Sequence, residues 1–283
     1  MTAATPYATV VRACLRGGAG GSPTAVVMED DTPGARLDDE QRRRVPAAWG
    51  TSHAVYVRRA GEVTDLRFFT SEGELPACGH GTVAALALLA AREGGERTYR
   101  AALRTGRRVF TGRAERAGDR FTAAFDPGRV VLREPAAEER ALVLPALGLD
   151  PDEAGPGTWI AGVGRERVLV PVPTRAALAA LTPDLDGLRA ACDRFGLLGA
   201  YVHSAPTPEG VLAARMFAPS IGVPEDIANA NSTACLAAHL AGRGITAIAV
   251  DMGDSLGSPA TVTATTGPGR TVELGGTAEV LPR

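Results

Sequence analysis

Cysteine is scarce and scattered in this chain of 283 residues: Cys14, Cys78, Cys192 and Cys235 stand far apart, with no CxxC pair among them. The start, MTAATPYATVV, lacks a positively charged stretch leading into an apolar one, so free thiols in the cytoplasm are expected rather than an exported disulfide framework. Histidine is as thin, four in all. Neither HxxxH nor HExxH occurs, and no metal site is expected from spacing. No apolar run reaches the roughly 18 residues that a membrane helix requires, which argues against a membrane partner. Nor does one charge dominate. Thirty Lys plus Arg against 32 Asp plus Glu leave a net charge of −2, interspersed along the chain, with no basic stripe for a phosphate backbone. Nucleic acid is therefore not expected as a ligand. A dinucleotide fingerprint is missing too, because the glycine-rich GGAGGSP leads into a strand-like run instead of a helix. Chemistry without a cofactor fits these absences.

What is present is the composition of a folded globular protein: 45% hydrophobic and 22% charged residues, with length enough for two ordinary domains. Runs at 7–15, 25–28, 53–58 and 63–69 cluster β-branched and aromatic residues between Gly, Pro and Asp, and they read as strands. From Gly79 to about Arg92 the sequence GHGTVAALALLAAR is almost uniformly apolar, predicting a helix buried on all sides. Strands follow near 98–104, 107–114 and 119–125. The second half repeats the plan without a short sequence period. Strand-like runs at 167–171, 199–203 and 211–217 lead to a second Ala/Leu-rich helix at about 233–242, and strands at 260–265, 271–274 and 277–281 close the chain. The expected fold is α/β (α+β): two pseudo-symmetric domains, each a β-barrel-like sheet wrapped around a central helix. The boundary falls near 126–130 (DPGRV), giving residues 1–128, completed by strands near 266–283, and residues 129–265. The run Asp38 to Arg44 reads as the solvated face of a short helix ending before Pro46.

Two segments carry candidate chemistry. In RFFTSEGELPACGHGTVAA (67–85), a loop enters the first buried helix at Cys78-Gly79-His80-Gly81-Thr82. Unpaired N–H groups and the positive end of the helix dipole converge at such a start, which suits a carboxylate. Glycines at 79 and 81 permit close approach, and a thiol at position 78 lies where its pKa falls. The plain alternative is a tight cap over a buried thiol. In RMFAPSIGVPEDIANANSTACLAAHL (215–240) the layout recurs, and Asn231, Ser232 and Thr233 offer side-chain caps and N–H donors at a second helix start. An ordinary N-cap explains that segment equally simply. Cys235, His203 and His239 read as structural.

These segments resemble the phenazine-biosynthesis (PhzF-like) family of the diaminopimelate epimerase fold. The run at 67–86 is similar to the family's Phe-Thr-Pro…Glu…Cys-Gly-His-Ala-Thr run. GSPTAVVM (21–28) resembles its Gly-Asn-Pro-Ala-Ala-Val-Val strand, RMFAPSIGVPED (215–226) its Arg-x-Phe-Ala-Pro…Gly-Val-Pro-Glu-Asp, and 258–281 its closing strands. The resemblance implies two α/β domains with the active site in the cleft between them, closing on the substrate. His80 matches the family's active-site histidine and Asp226 its aspartate, both suited to hydrogen bonding or proton shuttling. His53, in Thr51-Ser52-His53-Ala54-Val55-Tyr56-Val57, stands where the family carries its catalytic glutamate, and imidazole accepts and donates a proton near neutral pH. Cys78 matches the first of the two opposed cysteines of epimerases and racemases, while Asn229 occupies the place of the second. The expected activity is a cofactor-independent isomerisation of a small carboxylate in secondary-metabolite or antibiotic biosynthesis, with a homodimer as the assembly considered. An epimerase using Cys78 and a silent carboxylate binder are the competing readings.

Overall fold

The computed structural model describes residues 7–31, 37–94, 98–154 and 157–282. Contacts divide the chain into two compact units, residues 1–126 with 275–283, and residues 127–274. Unit 1 contains β1 (Thr9–Ala13), β2 (Ser22–Met28), α1 (Asp39–Ala48), β3 (His53–Ala60), β4 (Val63–Thr70), β5 (Gly73–Leu75), α2 (Gly79–Glu93), β6 (Tyr99–Thr105), β7 (Arg108–Ala117) and β8 (Arg120–Phe125). Unit 2 contains β9 (Val131–Arg133), α3 (Ala137–Ala146), α4 (Pro151–Ala154), β10 (Trp159–Val163), β11 (Arg165–Val172), α5 (Arg175–Ala179), α6 (Leu185–Phe195), β12 (Ala200–Ser204), β13 (Val211–Ala218), β14 (Val223–Asp226), α7 (Ala230–Ala241), β15 (Ala247–Met252) and β16 (Ala260–Thr266). The strand β17 (Val272–Val280) begins in unit 2 and ends in unit 1.

In unit 1 the wall runs β1-β2-β3-β4-β6-β7-β8 and returns through β17 to β1, which closes an eight-stranded barrel. β4 and β6 are parallel, and a parallel pair needs a long crossover. Here that crossover contains α2, which packs against β1, β2, β3, β6, β7 and β8. An eight-stranded barrel has little more room than its own side chains fill. A helix fits only if it is built of small residues, and every residue from Gly79 to Ala90 is buried. Gly112 of β7 yields the remaining space: a Cβ there would stand 2.8 Å from Leu86 Cδ1 and 3.1 Å from Leu103 Cδ1. α2 ends at Gly94, whose φ of 69° is the left-handed cap that glycine adopts without strain.

Unit 2 repeats this connectivity. Its strands pair in the order β9-β10-β11-β12-β13-β15-β16, with β11–β12 and β13–β15 parallel, and α7 lies in the β13-to-β15 crossover as α2 lies in the β4-to-β6 one. β14 hangs on β13 as β5 hangs on β4. The helices α3 and α6 cover the sheet's other side with Val143, Leu144, Leu188 and Cys192 against Ile160, Val168, Val170 and Val202. Strands covered on both faces are continuously apolar, as VLVPV (168–172) and AYV (200–202) are.

Several sequence-based boundaries move. Residues 271–274 and 277–281, expected as two strands, are one strand. A Cβ at Gly276 would lie 2.9 Å from Cys14 Sγ, so the glycines that look like punctuation permit a close approach within the sheet. α1 does not stop before Pro46 but continues through it to Ala48. Proline cannot donate to the carbonyl four residues back, and the Tyr56 hydroxyl donates to that Arg42 carbonyl instead, at 2.9 Å. Arg42 is not solvated either: it is 6% exposed and pairs with Glu29 at 2.7 Å and Asp39 at 3.0 Å. The second central helix starts at Ala230, three residues before the expected Thr233. No helix among the described residues is long and apolar enough to cross a membrane. All four cysteines are free and buried.

Candidate active site

His53 opens β3, and α2 packs on that strand inside the barrel. His53 and His80 thereby meet edge to face, ring centroids 4.4 Å apart. Cys78 is the N-cap of α2, with extended backbone and no capping bond from its side chain. Its sulfur instead lies 3.5 Å from His80 Nε2 and 3.8 Å from Nδ1. All three side chains are nearly sealed from water, at 3%, 5% and 2% exposure for His53, Cys78 and His80. Burial, then the repulsion of charge on His80, holds the His53 imidazole well below its ordinary pKa. At neutral pH the ring is therefore uncharged, with one nitrogen carrying a lone pair and the other a proton. The Ser52 hydroxyl lies 2.9 Å from His53 Nδ1 and orients the ring. Ser52 is a residue that motif reasoning passes over, since adjacency to His53 alone does not signal the contact.

The rest of the Cys78–Thr82 run is used locally. The Thr82 hydroxyl donates back to the Cys78 carbonyl at 2.8 Å, and its N–H reaches the same oxygen at 3.0 Å. A Cβ at Gly81 would stand 3.0 Å from Phe68 Cδ1 and 3.1 Å from Cys78 Sγ. The glycine makes room for the thiol and the Phe68 ring, rather than for a ligand alone. Gly79 opens the helix and is buried.

At the start of α7 in unit 2, the capping residue is Asn229, which corrects the expected caps at Asn231, Ser232 and Thr233. Asn229 Oδ1 accepts from the Ser232 N–H at 3.0 Å, and its Nδ2 donates to Asp226 Oδ2 at 3.0 Å, so one amide side chain ties the helix start to the buried carboxylate. The cap falls there because the helix begins at Ala230, which places Ser232 at the third helical position where the cap bond is made. The Thr233 hydroxyl donates to the Asn229 carbonyl at 3.1 Å and lies 2.8 Å from the Tyr201 hydroxyl. Ser232 Oγ faces Met216 Sδ at 3.6 Å, and the Asn231 carbonyl accepts from Arg167 at 3.2 Å. Arg167, 1% exposed, also donates to Cys235 Sγ at 2.9 Å and to the Arg165 carbonyl at 2.7 Å. Cys235 is thus a buried partner of a guanidinium, its thiol pushed up by burial and drawn back by the Arg167 charge. His203 donates from Nδ1 to the Ser204 carbonyl at 3.1 Å, and the His239 ring packs at a tilt of 45° against Trp159, centroids 5.1 Å apart.

Two units of one connectivity, each with an apolar helix in a parallel crossover and a buried polar group at that helix's start, define a two-unit α/β protein whose first unit is a closed barrel. Comparison with known proteins makes the class specific. The family model described as phenazine biosynthesis-like protein matches residues 16–281. The trans-2,3-dihydro-3-hydroxyanthranilate isomerase of Pseudomonas fluorescens is 30% identical over 233 residues, covering 79% of this chain and 76% of that protein. The uncharacterized isomerase YddE of Escherichia coli K12 is 28% identical over 213 residues, 74% of this chain and 71% of its own. In fold, a predicted epimerase from Pseudomonas aeruginosa superposes with a TM-score of 0.83 at 23% identity, over 97% of this chain and 96% of that one. The chain belongs to the phenazine biosynthesis-like family, and its coarse class is isomerase.

Proposed function

We propose that this isomerase moves a proton, and with it a double bond, on a small carboxylate-bearing substrate by general acid/base transfer, with His53 as the lead proton carrier and His80 orienting the substrate. One observation carries the reading: His53, anchored by Ser52, sits 4.4 Å from His80 at the entrance of a buried helix. The first-turn N–H groups of α2, among them those of Gly79 and Gly81, and the dipole behind them favour a carboxylate beside the two rings. His53 takes a proton from carbon, the electron pair remaining in the conjugated carboxylate, and the proton returns to another carbon. No electrons leave the substrate, so no redox cofactor is needed. The Pseudomonas fluorescens relative is by name an isomerase of a hydroxyanthranilate, itself a carboxylate. The same reading assigns the reaction to secondary-metabolite or antibiotic biosynthesis, with the family's name as support.

A second reading has its own observation. Cys78 Sγ at 3.5 Å from His80 Nε2 is a thiol–imidazole pair, as an epimerase base would use. Incubation with candidate carboxylates in D₂O separates the readings: double-bond migration places deuterium at an allylic or vinylic carbon, epimerisation places it at a stereocentre, and a silent binder incorporates none. His53→Gln is expected to lower turnover by roughly 10²-fold or more, the usual scale for a positioned proton carrier. Near-normal turnover in that variant removes His53 from the mechanism.

A further inference from the structure

Folding assembles in unit 1 what the sequence spacing does not announce. Donor atoms of His53, Cys78 and His80, one from each, all lie within 4.8 Å of one another. In a tetrahedral zinc site, with Zn–S near 2.3 Å and Zn–N near 2.05 Å, sulfur and nitrogen stand about 3.6 Å apart and two nitrogens about 3.3 Å apart. Cys78 Sγ stands 3.5 Å from His80 Nε2 and 3.8 Å from Nδ1, nearly equidistant, so the His80 ring has to turn before one lone pair points at an ion beside the sulfur. The edge-to-face rings of His53 and His80 are 4.4 Å apart between centroids, and side-chain rotation has to bring one nitrogen of each to the second spacing.

The surroundings are those of a metal centre as well. Ligating histidines characteristically give their other ring nitrogen to an outer partner, and Ser52 Oγ takes that place at His53 Nδ1, at 2.9 Å. With the Nδ1 proton donated to that hydroxyl, Nε2 carries the lone pair. Thiolate with imidazole selects zinc, cobalt, nickel or copper over magnesium and calcium, which take oxygen ligands.

We propose that His53, Cys78 and His80 form a three-ligand binding site for a divalent cation of the zinc class, with a fourth position left for water or a substrate oxygen. Binding converts the Cys78 thiol to thiolate and releases its proton to solvent. An ion held there occupies the lone pair that proton transfer by His53 would use, so metal binding shuts off acid/base turnover. That consequence rests on the proposed function, whereas the site itself does not.

The test uses the full chain stripped with EDTA and titrated first with Co²⁺ and then with Zn²⁺. One Co²⁺ per chain is expected, giving the visible bands of a tetrahedral complex and a thiolate-to-cobalt charge-transfer band, both erased by one equivalent of Zn²⁺. Cys78→Ser should abolish the charge-transfer band and weaken Zn²⁺ binding by more than about 10²-fold, beyond what loss of an outer partner costs, while Ser52→Ala should weaken it by roughly 10-fold or more. Melting curves without metal establish that the variants are folded. A wild-type protein without the charge-transfer band overturns the site, whatever the variants do, and so does Zn²⁺ affinity unchanged in Cys78→Ser and His53→Gln. Deuterium incorporation assayed in EDTA keeps the two ideas apart. Exchange without a cobalt band ends the metal site and leaves the acid/base reading standing, and a cobalt band without exchange does the reverse.

Discussion

Replacing Tyr56 by phenylalanine removes one hydroxyl from unit 1 and exposes how α1 tolerates a proline. Pro46 lacks the N–H that would bond the Arg42 carbonyl, and the Tyr56 hydroxyl donates to that oxygen at 2.9 Å. Tyr56 is 1% exposed and Arg42 6%, so water does not replace the donor easily. A buried acceptor left unsatisfied costs about 1–3 kcal/mol, a large share of the roughly 5–15 kcal/mol by which a domain is stable. The ring itself, edge to face with Phe69 at 5.5 Å, is retained in the variant. Urea unfolding followed by Trp49, at the C-cap of α1, measures the loss in a Trp159→Phe background that silences the other tryptophan. The decisive measurement is a double-mutant cycle with Pro46→Ala, because an alanine at that position supplies the missing N–H to the same carbonyl. Tyr56→Phe should then cost about 0.5 kcal/mol or less, a coupling of about 1–2 kcal/mol between contacting residues. An equal cost in both backgrounds would show that the hydroxyl does not stand in for the helix's own hydrogen bond.

Acid should weaken unit 2 through His203, whose pKa burial pushes down to about 4, against the help of the Ser204 carbonyl and with smaller contributions from His239 and Arg243. Unfolding restores it to about 6.5, so the neutral ring's contribution is fully present above pH 6.5 and lost as pH falls toward 4, about 3 kcal/mol by pH 4. Urea midpoints of wild type and His203→Gln at pH 8 and pH 4 should therefore converge at the lower pH, and parallel pH profiles would dismiss the assignment. Gly112→Ala pushes a methyl group to 2.8 Å from Leu86 Cδ1 and should destabilise unit 1 by about 1–3 kcal/mol in chemical denaturation; a neutral effect would mean that α2 shifts freely within its barrel. Alkylation of the native protein, read by mass spectrometry, should reach Cys78 first: it is 5% exposed, whereas Cys14, Cys192 and Cys235 are at 0%, and burial raises the Cys192 thiol to about 12. Early labelling of Cys235 would contradict its packing against Arg167.

The elements most legible in the sequence were those whose residues carry one unmistakable physical property. A helix as apolar as TVAALALLA can only be interior, and the two such helices anchor the barrel reading. The helix α6 is amphipathic, with an Asp184 N-cap and a left-handed Gly196, and a search for strands and wholly buried helices passes over it. Pro46 and the Gly275-Gly276 pair mislead for a common reason: each looks like a break, yet a tertiary partner, Tyr56 in one case and Cys14 in the other, accommodates it. The site divides along the same line. Cys78 and His80 are two residues apart and legible together, and the family resemblance adds His53. The contact of His53 with His80, the Ser52 anchor and the link from Asn229 to Asp226 depend on packing between separate elements or on a helix boundary three residues away from where composition puts it.

The path of β17 has a consequence for how the molecule is made. Its residues from Gly275 onward close the first barrel between β8 and β1, while everything from Pro127 to Leu274 belongs to the second unit. On the ribosome, chains grow from the N-terminus and domains commonly complete themselves in that order. Here unit 2 is contiguous and is fully synthesised before the closing strand emerges. Until then β1 and β8 wait with unpaired edges, of the kind that invite wrong partners. The unit whose synthesis begins first is the unit whose fold is completed last.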